Sequence, residues 1–78
     1  MKLYLQDAID RYNATKPDDE PMTQVRLAEM VGTTQSLVNK HLRGRVMPGP
    51  KFLQRYASVL DTTVDALLFG VEDMRGVA

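Results

Sequence analysis

Cysteine and tryptophan are absent from this chain and histidine occurs once. Without cysteine there is no disulfide staple, no thiol nucleophile and no thiolate metal site, a usage that fits a reducing cytoplasm. The lone His41 has no cluster of His, Asp or Glu at ligand spacing around it, so no metal and no other cofactor is expected. A packed or half-buried ring is the plainer role for it, and nothing in the sequence supports a pH-sensing one. No apolar run approaches the ~20 residues that span a bilayer, and Met1-Lys2-Leu3-Tyr4 leads into an acid-containing segment unlike a signal peptide. A soluble cytoplasmic protein with no membrane partner is expected. There is no glycine-rich phosphate loop and no nucleophile with a base nearby, so neither catalysis nor a small-molecule substrate is expected. Asp18-Asp19-Glu20 lie between Pro17 and Pro21 in what reads as a solvated loop, a poorly preorganised place for a cation.

Net charge is also missing: 10 Lys and Arg balance 10 Asp and Glu. The balance hides an uneven distribution. Between Thr23 and Tyr56 stand Arg26, Lys40, Arg43, Arg45, Lys51 and Arg55 against Glu29 alone, while the other acids lie before or after. A neutral chain can therefore carry a basic face, and local field rather than total charge attracts phosphate. The same residues pointing in different directions would carry no such field.

What is present is a helical pattern from end to end. Leu5, Ala8, Ile9 and Tyr12 recur at three and four, which predicts a helix over about residues 3–14, stopped before Pro17. A second helix, about 23–31, opens at Thr23 as N-cap without a capping box, because Arg26 stands where Glu or Gln would be needed. It presents Val25, Leu27, Ala28 and Val31 to a core and stops at Gly32, a residue suited to a left-handed C-cap. A hydroxyl of Thr33 or Thr34 can cap the next helix, about 34–42, anchored by Val38 and Leu42. Pro50 at a first helical position after Gly49 opens a helix of about 50–60 with Phe52, Leu53, Tyr56, Ala57 and Leu60 on its apolar stripe. Thr63 caps a last one, about 63–69, with Asp65 in its first turn. The expected fold is all-α: one five-helix domain over residues 1–70 and a flexible C-terminal tail, 71–78. A core of this size supplies only a few kcal/mol, which favours association of two copies.

Two helices joined within about three residues at Gly32 have the spacing of a helix-turn-helix, whose second helix can enter a DNA major groove. Its outer side carries Gln35, Ser36, Asn39 and Lys40. Gln and Asn pair bidentately with adenine, Lys donates to guanine, and Ser serves either role. A solvated polar helix face would have the same composition.

The segment resembles the helix-turn-helix domain of lambdoid phage repressors and Cro proteins, the Cro/repressor-type or XRE-like family. The likeness covers roughly Thr23 to Gly70. It rests on Leu27-Ala28-Glu29, Val31-Gly32, Thr34-Gln35-Ser36, Val38, Arg43-Gly44-Arg45, Pro48 and Asp65-Ala66-Leu67-Leu68-Phe69-Gly70. It implies a compact five-helix DNA-binding domain, with base contacts from Thr34, Gln35, Ser36, Asn39 and Lys40. It also implies phosphate contacts from Gln24, Arg43 and Arg45, and a dimer contact at Leu68 and Phe69. Three features depart from the family pattern. The loop before Thr23 is long. His41 replaces an aliphatic or aromatic residue, leaving Leu42 as the expected core anchor. Leu37 replaces a small or polar residue, and either touches a thymine methyl or fills space beside Val38.

The resemblance implies a sequence-specific double-stranded DNA-binding transcriptional regulator: a Cro-like phage or prophage repressor, acting as a homodimer on a palindromic operator with half-sites ~34 Å apart. The chain has no room for the second, self-cleaving domain of full-length phage repressors, so a Cro-sized protein is expected. A protein-interaction module of the same fold, such as a toxin-neutralising antitoxin, is the alternative. Gln35, Asn39 and Lys40 discriminate, since a partner-binding domain has no need of base-reading residues there.

Overall fold

A computed structural model describes residues 3–16 and 20–70. The expected loop residues 17–19 and the expected tail, 71–78, lie outside the described residues. Five helices follow in order: α1 Leu5–Thr15, α2 Gln24–Val31, α3 Gln35–Leu42, α4 Pro50–Val59 and α5 Val64–Phe69. Helix α2 packs against α3 and α4, α4 against α5, and α1 against α3 and α5.

The four predicted apolar positions of α1, Leu5, Ala8, Ile9 and Tyr12, are all buried. The helix begins two residues later than its apolar pattern suggests. Leu3 is buried as part of a short lead-in, and the Tyr4 N–H donates to the Leu67 carbonyl at 2.8 Å, which pins that lead-in to α5. In the last turn of the helix, Asn13 brackets the backbone of Met22. Its Oδ1 accepts from the Met22 N–H at 2.7 Å, and its Nδ2 donates to the Met22 carbonyl at 3.3 Å. The amide closes the long loop with two bonds of the kind a neighbouring backbone would make, and it brings buried Met22 to the start of α2.

Threonine opens three of the helices. The hydroxyl oxygens of Thr23, Thr34 and Thr63 accept from the N–H groups of Arg26, Leu37 and Ala66 at 3.1, 3.2 and 3.1 Å. Each satisfies one of the four donors a helix start leaves unpaired, worth about 1 kcal/mol. At α4 Gly49 stands at the cap without a side-chain bond and Pro50 supplies the preset φ. Gly32 ends α2 at φ +79°, and open space surrounds the place a Cβ would take, so the conformation rather than crowding calls for glycine there.

Leu5, Leu27, Val38, Tyr56 and Leu67, one from each helix, are the fully buried centre. Two expectations about the core are corrected. Val25 faces outward at 48 % exposure, because α2 already buries Leu27, Ala28 and Val31, and an eight-residue helix cannot turn a fourth side chain to the same side. On α3 the inner position beside Val38 belongs to His41, which is buried, while Leu42 is only partly buried at the margin of the core. Positions 38 and 41 lie three apart on one face, and the imidazole finds a polar partner inside, so burial there leaves no unmet hydrogen bond.

Candidate nucleic-acid interface

Helix α3 stands with its inner side on the core and its outer side free. Gln35, Ser36 and Lys40 are exposed, Leu37 and Asn39 are half-buried, and Thr34 is the exposed N-cap. The Thr34 oxygen is engaged with the Leu37 N–H, which leaves its own O–H as a donor. Leu37 is thus partly sunk beside the core rather than wholly displayed.

Asn39 is tied to the preceding helix. Its Nδ2 donates to Gln24 Oε1 at 3.2 Å, linking the first residue of α2 to the middle of α3 across the turn. Both residues were candidates from the sequence, but their pairing was not visible there, since they are fifteen positions apart and meet only when α2 and α3 pack. The bond uses one Asn39 N–H. The other N–H and Oδ1 keep the donor–acceptor pair that an adenine edge would meet.

The basic row divides into two sets. Arg26 is engaged locally: its Nη1 donates to the Glu20 carbonyl at 2.7 Å and lies 3.7 Å from the Glu20 carboxylate. Arg55, although exposed, is engaged at the end of α2, where Nη1 donates to the Val31 carbonyl at 3.3 Å and the guanidinium lies 6.0 Å from the Phe52 ring centroid. A cation at that carbonyl meets the negative end of α2, so Arg55 braces the turn. Lys40, Arg43, Arg45 and Lys51 are exposed, and no described carboxylate lies within 4.0 Å of them. Sequence reasoning could not separate these sets, because each partner is a backbone carbonyl or a loop acid without a fixed spacing.

Behind this face lies an aromatic cluster. The His41 ring meets Phe52 and Tyr56 edge-on at centroid distances of 5.5 and 5.7 Å, and His41 Nδ1 is 2.7 Å from the Tyr56 hydroxyl. Burial pushes the Tyr56 phenol up to about 12 and holds the imidazole below its ordinary value. At neutral pH the phenol is thus a donor, and the uncharged imidazole an available acceptor.

The expected dimer residues lie on α5. Leu68 packs partly against the core and Phe69 is 51 % exposed. Gly70 ends the helix at φ +85°, and a Cβ there would meet the Tyr4 ring at 3.2 Å. Exposed Tyr4 and Phe69 therefore flank the same end of the molecule. Val46 and Met47, in the loop beyond Arg45, are also exposed apolar side chains, a feature their sequence context did not reveal. Among the described residues no cluster of His, Cys, Asp or Glu could hold a metal, and no helix is long and apolar enough to cross a membrane.

A family profile described as helix-turn-helix matches residues 22–67, from the buried Met22 to the buried Leu67. No curated protein and no solved structure matches the chain. The profile spans more than half of the sequence, and the chain belongs to the Cro/repressor-type, XRE-like helix-turn-helix family of DNA-binding regulators.

Proposed function

We propose that this DNA-binding regulator is a Cro-like repressor of phage or prophage type that acts as a homodimer on a palindromic operator. The observation that carries the reading is the outer face of α3. Gln35, Ser36, Asn39 and Lys40 stand together there, with Gln24 bonded to Asn39 and the free cations of Arg43 and Arg45 beyond the helix end.

In this reading α3 lies in the major groove. Thr34, Gln35, Ser36, Asn39 and Lys40 reach base edges, with the amides directed to adenine and Lys40 to guanine. Gln24 gives its oxygen to Asn39 and its N–H groups to a phosphate, where the positive end of α2 favours the anion. One side chain thus joins the register set by the backbone to the angle of a reading residue. Arg43 and Arg45 hold the flanking phosphate, which fixes position without reading sequence. Two copies associate through Phe69 and the exposed margin of Leu68, placing their α3 helices one helical turn apart, ~34 Å, and occupancy of a promoter excludes polymerase.

The test is selection from a random pool of DNA duplexes at near-physiological salt. A two-fold symmetric site with half-sites about one turn apart is the expected product. Failure to enrich any sequence would overturn specific readout and turn the search to a protein partner. With a site in hand, Arg43→Ala should weaken binding to all sequences and shallow the salt slope by about 1; an unchanged slope would reject the phosphate role.

A further inference from the structure

The recognition helix has a histidine where it meets the core. His41 is 2 % exposed, set edge-on to Phe52 and Tyr56, with Nδ1 at hydrogen-bond distance from the Tyr56 hydroxyl. Asn39 and Lys40 immediately precede it on the same helix. The bond joins the short helix α3 to α4, so the pose of the outer face depends on what the inner ring can tolerate. The arrangement is built for a neutral imidazole.

We propose that the His41–Tyr56 pair is a positioning strut for the recognition helix, and that protonating His41 loosens the base-reading face so that DNA readout weakens in mild acid. The proposal rests on the DNA-reading role given above to α3.

The surroundings decide the sign. From α4 the ionisable groups are Tyr56 itself, exposed Lys51, and Arg55, whose guanidinium over Phe52 adds positive charge on that side. From α1 and its C-cap they are buried Tyr12, Arg11 paired with Asp7, exposed Asp10, and Lys16 near Asp61. From α2 they are Arg26, held by Glu20, and exposed Glu29. On α3 and its cap stand Lys40 and Arg43. No described carboxylate comes within 4.0 Å of the His41 nitrogens. An imidazolium would therefore be buried without a paired counter-charge, a desolvation cost that the Tyr56 oxygen alone does not offset.

Burial holds the packed imidazole below 6.5, its ordinary value. The packed state therefore binds fewer protons than a state with the ring released. Its stability is fully present above about 6.5 and declines as the pH falls from there toward the lowered value. Duplex affinity follows the same course, by at most about tenfold per pH unit for one proton.

His41 is the only histidine in the chain, so its ring resonances are unambiguous in a proton titration of the intact protein. The ring and the backbone amides of Asn39 and Lys40 would be followed between about pH 8 and 5, an interval chosen to bracket the ordinary histidine value. Duplex affinity would be measured in parallel at fixed salt for the wild type and His41→Phe, which keeps an aromatic ring and removes the proton site. The expected result is a midpoint below 6.5, with the α3 amides moving at that same midpoint and a severalfold loss of wild-type affinity that the variant does not share. A midpoint at or above the ordinary value, still α3 amides, or identical profiles for the two proteins would overturn the strut. If no duplex binds at any pH, the DNA-reading role fails instead, and the amide titration still decides whether His41 controls the helix. The wild-type titration also stands if His41→Phe does not fold.

Discussion

At the α2–α3 turn Gly32 adopts a left-handed conformation, the Thr33 N–H reaches back to the Ala28 carbonyl at 2.8 Å, and Thr34 caps the next helix. At the α4–α5 turn Asp61, Thr62 and Thr63 repeat each step, with φ +54° at Asp61 and the Thr62 N–H on the Ala57 carbonyl at 2.9 Å. The local chemistry of the two turns is the same, yet the helices they launch face the solvent differently. Helix α3 shows Gln35, Ser36 and Lys40, whereas α5 shows Phe69 and the margins of Val64 and Leu68, with Asp65 its one exposed charge, in the first turn. The turn sets where a helix starts, and the side chains left outside set what that helix can recognise. Polar amides and a cation suit base edges; an exposed aromatic ring suits another apolar surface.

Exchanging effects between the outward faces is the strongest way to break the comparison. Gln35→Ala or Lys40→Ala should cost about 1–3 kcal/mol of discrimination and relax preference at single base pairs. Phe69→Ser should leave half-site preference intact and shift the monomer–dimer equilibrium toward monomer, as read by sedimentation. A changed base preference in Phe69→Ser, or none in Lys40→Ala, would sink this division of labour.

The caps come next in size. Thr34→Ala and Thr63→Ala each remove one N-cap bond, so each should lower unfolding free energy by about 1 kcal/mol in a denaturant titration. Only Thr34→Ala should also alter DNA affinity directly. Equal losses of affinity would mean that both caps act through global stability.

The left-handed residues separate the turns further. Gly32→Ala places a Cβ in open space but in an unfavourable backbone region, and should destabilise by about 1 kcal/mol. Asp61→Gly relieves the same strain but frees the unfolded chain and removes a long, exposed pairing with Lys16 at 3.9 Å, so its unfolding free energy should stay within about 0.5 kcal/mol of wild type. Smallest of all, Val25→Thr on the outer side of α2 should fall within about 0.5 kcal/mol of wild type, because the side chain leaves no core cavity. A loss of several kcal/mol would restore Val25 to the core.

The turns were legible in the sequence because their requirements are local: Gly32, three well-placed threonines and Pro50 each satisfy a backbone need within four residues. The α1 stripe was legible for a similar reason, since a long amphipathic repeat leaves one way to bury its face. Short helices were harder. With eight residues in α2 and in α3, hydrophobicity alone could not rank Val25 against its neighbours or Leu42 against His41. Burial of His41 depends on a hydroxyl fifteen positions away. The candidate reading face was visible as residue types. Its Gln24–Asn39 tie and the withdrawal of Arg26 and Arg55 were not.

Sequence by itself determined the all-helical plan, the positions of the turns and the chemical character of the outer face of α3, because caps, left-handed residues and amphipathic periods act over a few residues. Tertiary structure decided which cations stay free, which amide is held by Gln24, and that a histidine rather than a leucine seats α3 on the core. Those outcomes depend on groups brought together by packing, and the energies of hydrogen bonding and burial are fixed only once the partners meet.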